Sequence, residues 1–262
     1  MSVSEDIKVE TDGPVRTLVL NRPGKKNAIN KGMWQALVNQ CDAIEADSAV
    51  KVVVIRGAGD GFSGGADLGE MHALLSANQS LQGHYVAVDQ ALTRLRTLNR
   101  PTIAMIHGAC MGGGCMICMT ADFRIASNDA SFAITPARLG LTITTEQIAD
   151  LMRVVGEARA KQMLYTGQRI DSQMALAWGL VNELVAPDDL EHRVMALAEQ
   201  LQQVSQRSVR AFKTVMGEMA KGVGGDRSLC KHLYEEGFSS DDFREGAQAF
   251  LERRPARFPS NQ

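Results

Sequence analysis

Two glycine-rich stretches hold the groups best suited to chemistry: Phe62-Ser63-Gly64-Gly65-Ala66-Asp67-Leu68 and Gly108-Ala109-Cys110-Met111-Gly112-Gly113-Gly114-Cys115. Each follows an apolar run that reads as a strand, Val52-Val53-Val54-Ile55 for the first and Ile103-Ala104-Met105-Ile106 for the second. Each precedes a segment that reads as a helix. The first N–H groups of a helix have no partner within it, and the helix dipole adds roughly half a positive charge at that end. Two such ends brought together supply a pair of donors for one developing oxyanion. The glycines let a ligand or a second backbone come close. Cys110, Cys115 and Cys118 cluster at the second stretch. They lack a fourth metal ligand and are read as buried, reduced thiols packing as small apolar residues.

Flanking elements must position these turns. Asp12-Gly13, between the runs 7–10 and 15–20, is a hairpin signal. Met33, Trp34, Leu37, Val38, Cys41 and Ile44 then recur at helical spacing, with Asn30 placed as a cap. The strand 51–56 enters the first turn. Residues 69–98 read as helical but polar and loosely patterned. Arg100-Pro101 restarts the chain as the strand 102–107, which enters the second turn, and 122–126 and 131–133 are further strands. From Thr145 the pattern is mainly helical, beginning with 145–155, apart from a short apolar run at 181–185. Alternating strands and helices favour an α/β fold. The composition turns charged, Gln- and Met-bearing from Glu191, so 1–190 reads as a core and 191–262 as a helical C-terminal module.

With 262 residues the chain can bury a substantial core. Hydrophobic and charged fractions of 45% and 22% are ordinary for a globular protein. A net charge of −2 gives no reason to expect nucleic-acid binding. No apolar run approaches the roughly 20 residues that span a bilayer, so no membrane partner is expected. Met1-Ser2-Val3-Ser4-Glu5-Asp6 lacks the basic and apolar parts of a signal peptide, and a cytoplasmic location is expected.

The wording of both turns resembles the crotonase (enoyl-CoA hydratase/isomerase) superfamily, which binds acyl-CoA thioesters and stabilises an enolate. Nearly the whole chain takes part. Asn21-Arg22-Pro23 with Asn27-Ala28, Ala121-Asp122-Phe123-Arg124-Ile125-Ala126, Leu139-Gly140-Leu141 and Leu164-Tyr165-Thr166-Gly167 all match, as do Ala177-Trp178-Gly179-Leu180-Val181-Asn182 and the tail from Glu245-Gly246 to Phe258. The resemblance implies a crotonase spiral of ββα units with a helical C-terminal oligomerisation module, and a homo-oligomer, trimer or dimer of trimers. No separate cofactor is implied, since coenzyme A enters as part of the substrate.

Carried onto this chain, the family's oxyanion donors are the backbone N–H groups of Ala66 and Gly113. Lys25, Lys26 and Ala28 resemble the loop that meets the pantetheine and phosphates, and Gly64 the position whose backbone meets the adenine. Asp67 and Leu68 complete that substrate-binding set, Asp67 as the cap or anchor of its helix. Phe250 and Arg253 match residues that reach a neighbouring subunit's CoA. Family hydratases carry two acid–base glutamates, and this chain has Met116 and Pro136 at those positions. Glu146 falls near the acyl end of the site and is the candidate displaced base. His72 and His84 lie in the segment that covers the acyl pocket, and His107 reads as a packed histidine. An acyl-CoA enolate enzyme of hydratase/isomerase type is the leading expectation. Decarboxylation needs no base and is the alternative, although Ile143 stands where such decarboxylases commonly have tyrosine. A CoA-binding scaffold without catalysis is the other.

Overall fold

A computed structural model of the chain describes residues 5–261. Met1, Ser2, Val3 and Ser4, part of the stretch read for a signal peptide, lie outside the described residues. The expected hairpin pairs β1 (Ile7–Asp12) antiparallel with β2 (Val15–Leu20). The chain crosses through α1 (Lys31–Ala46), capped by Asn30 Oδ1, which accepts the Met33 N–H at 2.8 Å. It returns as β3 (Val52–Gly57), parallel to β2. The stretch 69–98 becomes two helices, α2 (Leu68–Ser76) and α3 (Gln82–Thr97), before β4 (Thr102–Ile106).

Next come β5 (Ala109–Met111), α4 (Gly113–Thr120), β6 (Phe123–Ser127) and β7 (Ser131–Ala133). A 3-10 turn at Pro136–Leu139 leads to α5 (Thr145–Val155), α6 (Glu157–Thr166), β8 (Ile170–Asp171), α7 (Ser172–Ala177) and β9 (Glu183–Val185). The chain closes with α8 (Leu190–Gln203), α9 (Gln206–Ala220), α10 (Arg227–Ser239) and α11 (Asp241–Glu252).

One sheet has the order β1-β2-β3-β4-β6-β9, parallel beyond the hairpin. A smaller sheet, β5-β7-β8, stands beside it. The inner strands of the large sheet are near-continuous apolar runs because both faces are covered. Val53, Ile55, Ala104 and Ile106 join the core that α1, α3 and α4 complete. Val52, Val54, Ile103 and Ile125 pack instead with Leu190, Val194 and Ala198 of α8. Thus α8 covers the sheet, and the helices that stand off it begin with α9. Those helices expose Phe212, Met216, Met219, Tyr234, Phe238 and Phe243. Among the described residues no helix is long and apolar enough to cross a membrane.

Candidate functional site

The two glycine turns meet. Ser63 N–H donates to Ala109 O at 2.9 Å and Met111 N–H returns to Ser63 O at 2.8 Å, so the first turn joins β5 through a single parallel bridge between Ser63 and Cys110. On its other flank Gly64 N–H reaches Lys26 O, Ile29 N–H reaches Gly65 O, and Asp67 N–H reaches Ile29 O. Gly65 sits at φ +97°, and a Cβ there would lie 3.0 Å from Met111 O and 3.5 Å from Gly113 N. A Cβ on Gly114 would lie 2.8 Å from Ser63 Cβ. Only glycine permits both the left-handed turn and so close an approach. The neighbouring N–H groups of Gly64, Gly65, Asp67 and Gly112 all have acceptors. Among the described residues none takes the N–H of Ala66 or of Gly113. Gly113 opens α4, so its N–H also carries the positive end of that helix. Two free donors on touching turns are chemically suited to one oxyanion.

Charge anchors the first turn. Asp67, buried, caps α2 by accepting the Glu70 N–H at 3.1 Å, and its other oxygen takes Arg22 Nη1 at 2.9 Å. Arg22 also donates to Ala28 O at 2.6 Å, and Lys25 Nζ lies 3.9 Å from Asp67. Burial alone would raise the Asp67 carboxyl, but Arg22, the Glu70 N–H and Lys25 outweigh it and hold the group below its ordinary value. Asn27 Nδ2 ties the loop to Ala58 O and Gly61 O, while its Oδ1 accepts the Arg22 N–H. Asn21-Arg22-Pro23 and Asn27-Ala28 carried that signal in the sequence, but only as a motif. The contacts give Arg22 and Asn27 their roles.

Packing anchors the second turn. Cys110, Cys115, Ile117 and Cys118 are fully buried, and Cys115 Sγ donates to Cys110 O at 2.8 Å. Burial pushes the Cys110 and Cys115 thiols up. The Trp34 ring lies behind Gly113, with Cζ2 3.1 Å from where a Cβ would stand. All five cysteines are free, and among the described residues no three metal-ligating side chains gather.

The structure thus brings together Ala66, Gly113, Lys25, Lys26, Ala28, Gly64, Asp67 and Leu68. Lys25, Lys26 and Gly64 are exposed, and Leu68 is 49% exposed. Met116 is buried in α4, and Pro136 opens the 3-10 turn. Glu146 is exposed in the first turn of α5, without an ion pair or hydrogen bond from its side chain among the described residues. Thr144 and Gln147 cap that helix instead. His107 is half-buried and its Nε2 lies 2.8 Å from Gly59 O, so it has the hydrogen bond expected of it without being packed in the core. His72 is exposed; His84 is buried at 3% exposure. Phe250 and Arg253 lie at the end of α11, Phe250 83% exposed and Arg253 at φ 54°. A cavity of about 730 Å³ opens among α9, α10 and α11, lined by Phe212, Val215, Leu233, Tyr234, Phe238 and Phe243.

A family model described as enoyl-CoA hydratase/isomerase matches residues 10–261. A crotonyl-CoA hydratase of Syntrophomonas wolfei is 35% identical over 98% of both chains. A mitochondrial Delta(3,5)-Delta(2,4)-dienoyl-CoA isomerase of Dictyostelium discoideum is 29% identical over 94% of this chain and 88% of its own. The crystal structure of an enoyl-CoA hydratase/isomerase family protein from Hyphomonas neptunium superimposes with a TM-score of 0.92. It is 31% identical and covers 99% of this chain and 100% of its own. The architecture is therefore the spiral that the sequence motifs imply.

Proposed function

The chain belongs to the enoyl-CoA hydratase/isomerase family, and from that premise we propose that Ala66 and Gly113 stabilise the enolate of an acyl-CoA thioester. The observation that carries this reading is the pair of unpartnered N–H groups on turns in contact. Charge that develops on the thioester oxygen is then met by donors already in place. Each donor is worth roughly 3 kcal/mol in the transition state. Lys25 and Lys26 supply exposed ammonium groups for the CoA phosphates beside Gly64, Ala28 and Leu68. Asp67 holds the turn and moves no proton.

Met116 and Pro136 have no ionisable group, so neither moves a proton. Positioned acid–base groups contribute roughly 10² to 10⁴ each, so hydration of crotonyl-CoA should be far slower than with two glutamates in place. Glu146 is the displaced base of this reading, since its carboxylate is committed to no other contact. The exposed aromatic helices α9–α11 suit contact with further copies of the chain, as a trimer or a dimer of trimers. Phe250 and Arg253 would then meet the CoA of a neighbouring subunit.

An unreactive acyl-CoA should raise the melting temperature by linkage. Ala66→Pro deletes one donor and should lower turnover roughly 100-fold while the fold persists. Unchanged turnover in that variant would overturn the assignment. Glu146→Gln should lower kcat and leave acyl-CoA affinity nearly unchanged.

A further inference from the structure

His84 is buried in the first turn of α3, yet its Nδ1 has no hydrogen-bond partner. A buried polar atom left unpaired is costly, and an apolar side chain would fill the same space without that cost. The nearest carboxylate oxygen is Glu70 Oε2 on α2, 3.7 Å away. That distance is longer than a hydrogen bond, and less than about 1 Å of movement closes it.

Glu70 Oε2 already accepts the N–H of Lys31, the first residue of α1, at 2.9 Å. Ala66 lies between the same two helix starts. Ile29, two residues before α1, bonds on both sides of Ala66, through Gly65 O and the Asp67 N–H. Asp67 in turn caps α2. The carboxylate that His84 faces is therefore the cross-link between the two elements that aim the Ala66 N–H.

We propose that His84 is a positioning residue for the Ala66 donor, its Nδ1–H closing onto Glu70 Oε2 when a thioester oxygen engages the turn. This rests on the acyl-CoA reading above. Hydrogen bonds that position catalytic groups often tighten only in the substrate complex. The charged groups facing His84 are Glu70 and Asp67 from α2 and Lys31 from α1. Burial foremost, helped by Lys31, holds the imidazole below its ordinary value against the pull of the two carboxylates, so it is neutral near pH 7. A neutral ring beside a carboxylate carries its proton on the nitrogen that faces it.

The test separates the two ring nitrogens. The Asn amide nitrogen stands near Nδ1 and the Gln nitrogen near Nε2, so His84→Asn, His84→Gln and His84→Phe are compared with the parent protein. The readout is the infrared stretch of butyryl-CoA, isotope-labelled at its carbonyl and bound to the protein. Parent and His84→Asn should lower the stretch equally. His84→Gln and His84→Phe should lower it less while binding butyryl-CoA as tightly, and their kcat should fall about tenfold at unchanged KM. Glu70→Gln should weaken the shift in the same direction, a check that holds if His84→Phe fails to fold. An identical stretch in every variant overturns the inference and leaves the acyl-CoA reading intact, as does an Asn variant no better than Phe. Failure of the parent protein to bind butyryl-CoA overturns that reading, and the inference with it.

Discussion

Around Ala66 the anchoring groups are ionised: Asp67 with Arg22 and Lys25, and Glu70 across the start of α1. Around Gly113 they are apolar, with the Trp34 ring, Ile29 and the buried residues of α4 pressed against the turn. Two N–H groups suited to the same task are thus held by different physics. Ion pairs respond to pH and salt and tolerate small shifts. Close packing ignores both but registers a single missing or added methyl group. The first turn is consequently the adjustable half of the pair and the second the fixed half.

The sharpest way to break this contrast is Trp34→Ala. It should cost roughly 3–5 kcal/mol of stability by leaving a cavity behind Gly113. Urea unfolding at several pH values should show the same loss throughout. A loss that varied with pH would mean the second turn also depends on ionised groups.

Gly65→Ala comes next, since it touches both halves at once. The added methyl meets Met111 O at 3.0 Å with the backbone at φ +97°, a strain of roughly 2 kcal/mol. Turnover should fall further than thermal stability does, because the displaced atoms are the ones that present the donors.

Asp67→Asn has the smallest expected effect, about 1.5 kcal/mol for losing a charge-assisted bond to Arg22 while keeping the cap. Its signature is in the pH dependence. The folded carboxyl is held below its ordinary value of 3.8. The native state therefore binds this proton less readily than the unfolded chain. Its stabilisation is present above the ordinary value and is lost as pH falls through the folded one. The Asn variant should lose that part of the acid sensitivity, read as the difference in melting temperature between neutral pH and pH below the carboxylate range. Acid sensitivity equal to that of the parent protein would remove Asp67 as the charged anchor.

Local signals explain what was legible in the sequence. The glycine turns, the Asn30 cap, the Asp67 cap and the hairpin at Asp12-Gly13 depend on residues a few positions apart, and all four are present. β5 and β8 were not legible, because β5 lies inside the second glycine stretch, where the residues read as a turn, and a strand of two residues shows no alternation. Helical spacing marked Trp34 as core, but its place behind Gly113 arises from contacts far apart along the chain. His84 was legible only as one histidine in a polar helical stretch. Its burial against α1 and α2 depends on where the break between α2 and α3 falls. The aromatic positions of α9–α11 likewise show which face is apolar, and no periodicity says what that face meets.

The cysteines give the fixed half of the site a clock. Cys110, Cys115 and Cys118 lie buried at the second turn and Cys41 within α1, whereas Cys230 is partly exposed. Alkylation proceeds through the thiolate, and burial pushes the Cys41 thiol up to about 12. A thiol reagent added to the native protein therefore meets Cys230 first, and every later adduct waits for the core to open. Mass added against time would report how often the packed turn comes apart. The charged turn, from Asn21 to Asn30 and from Gly57 to His84, contains no cysteine and leaves that record unmarked.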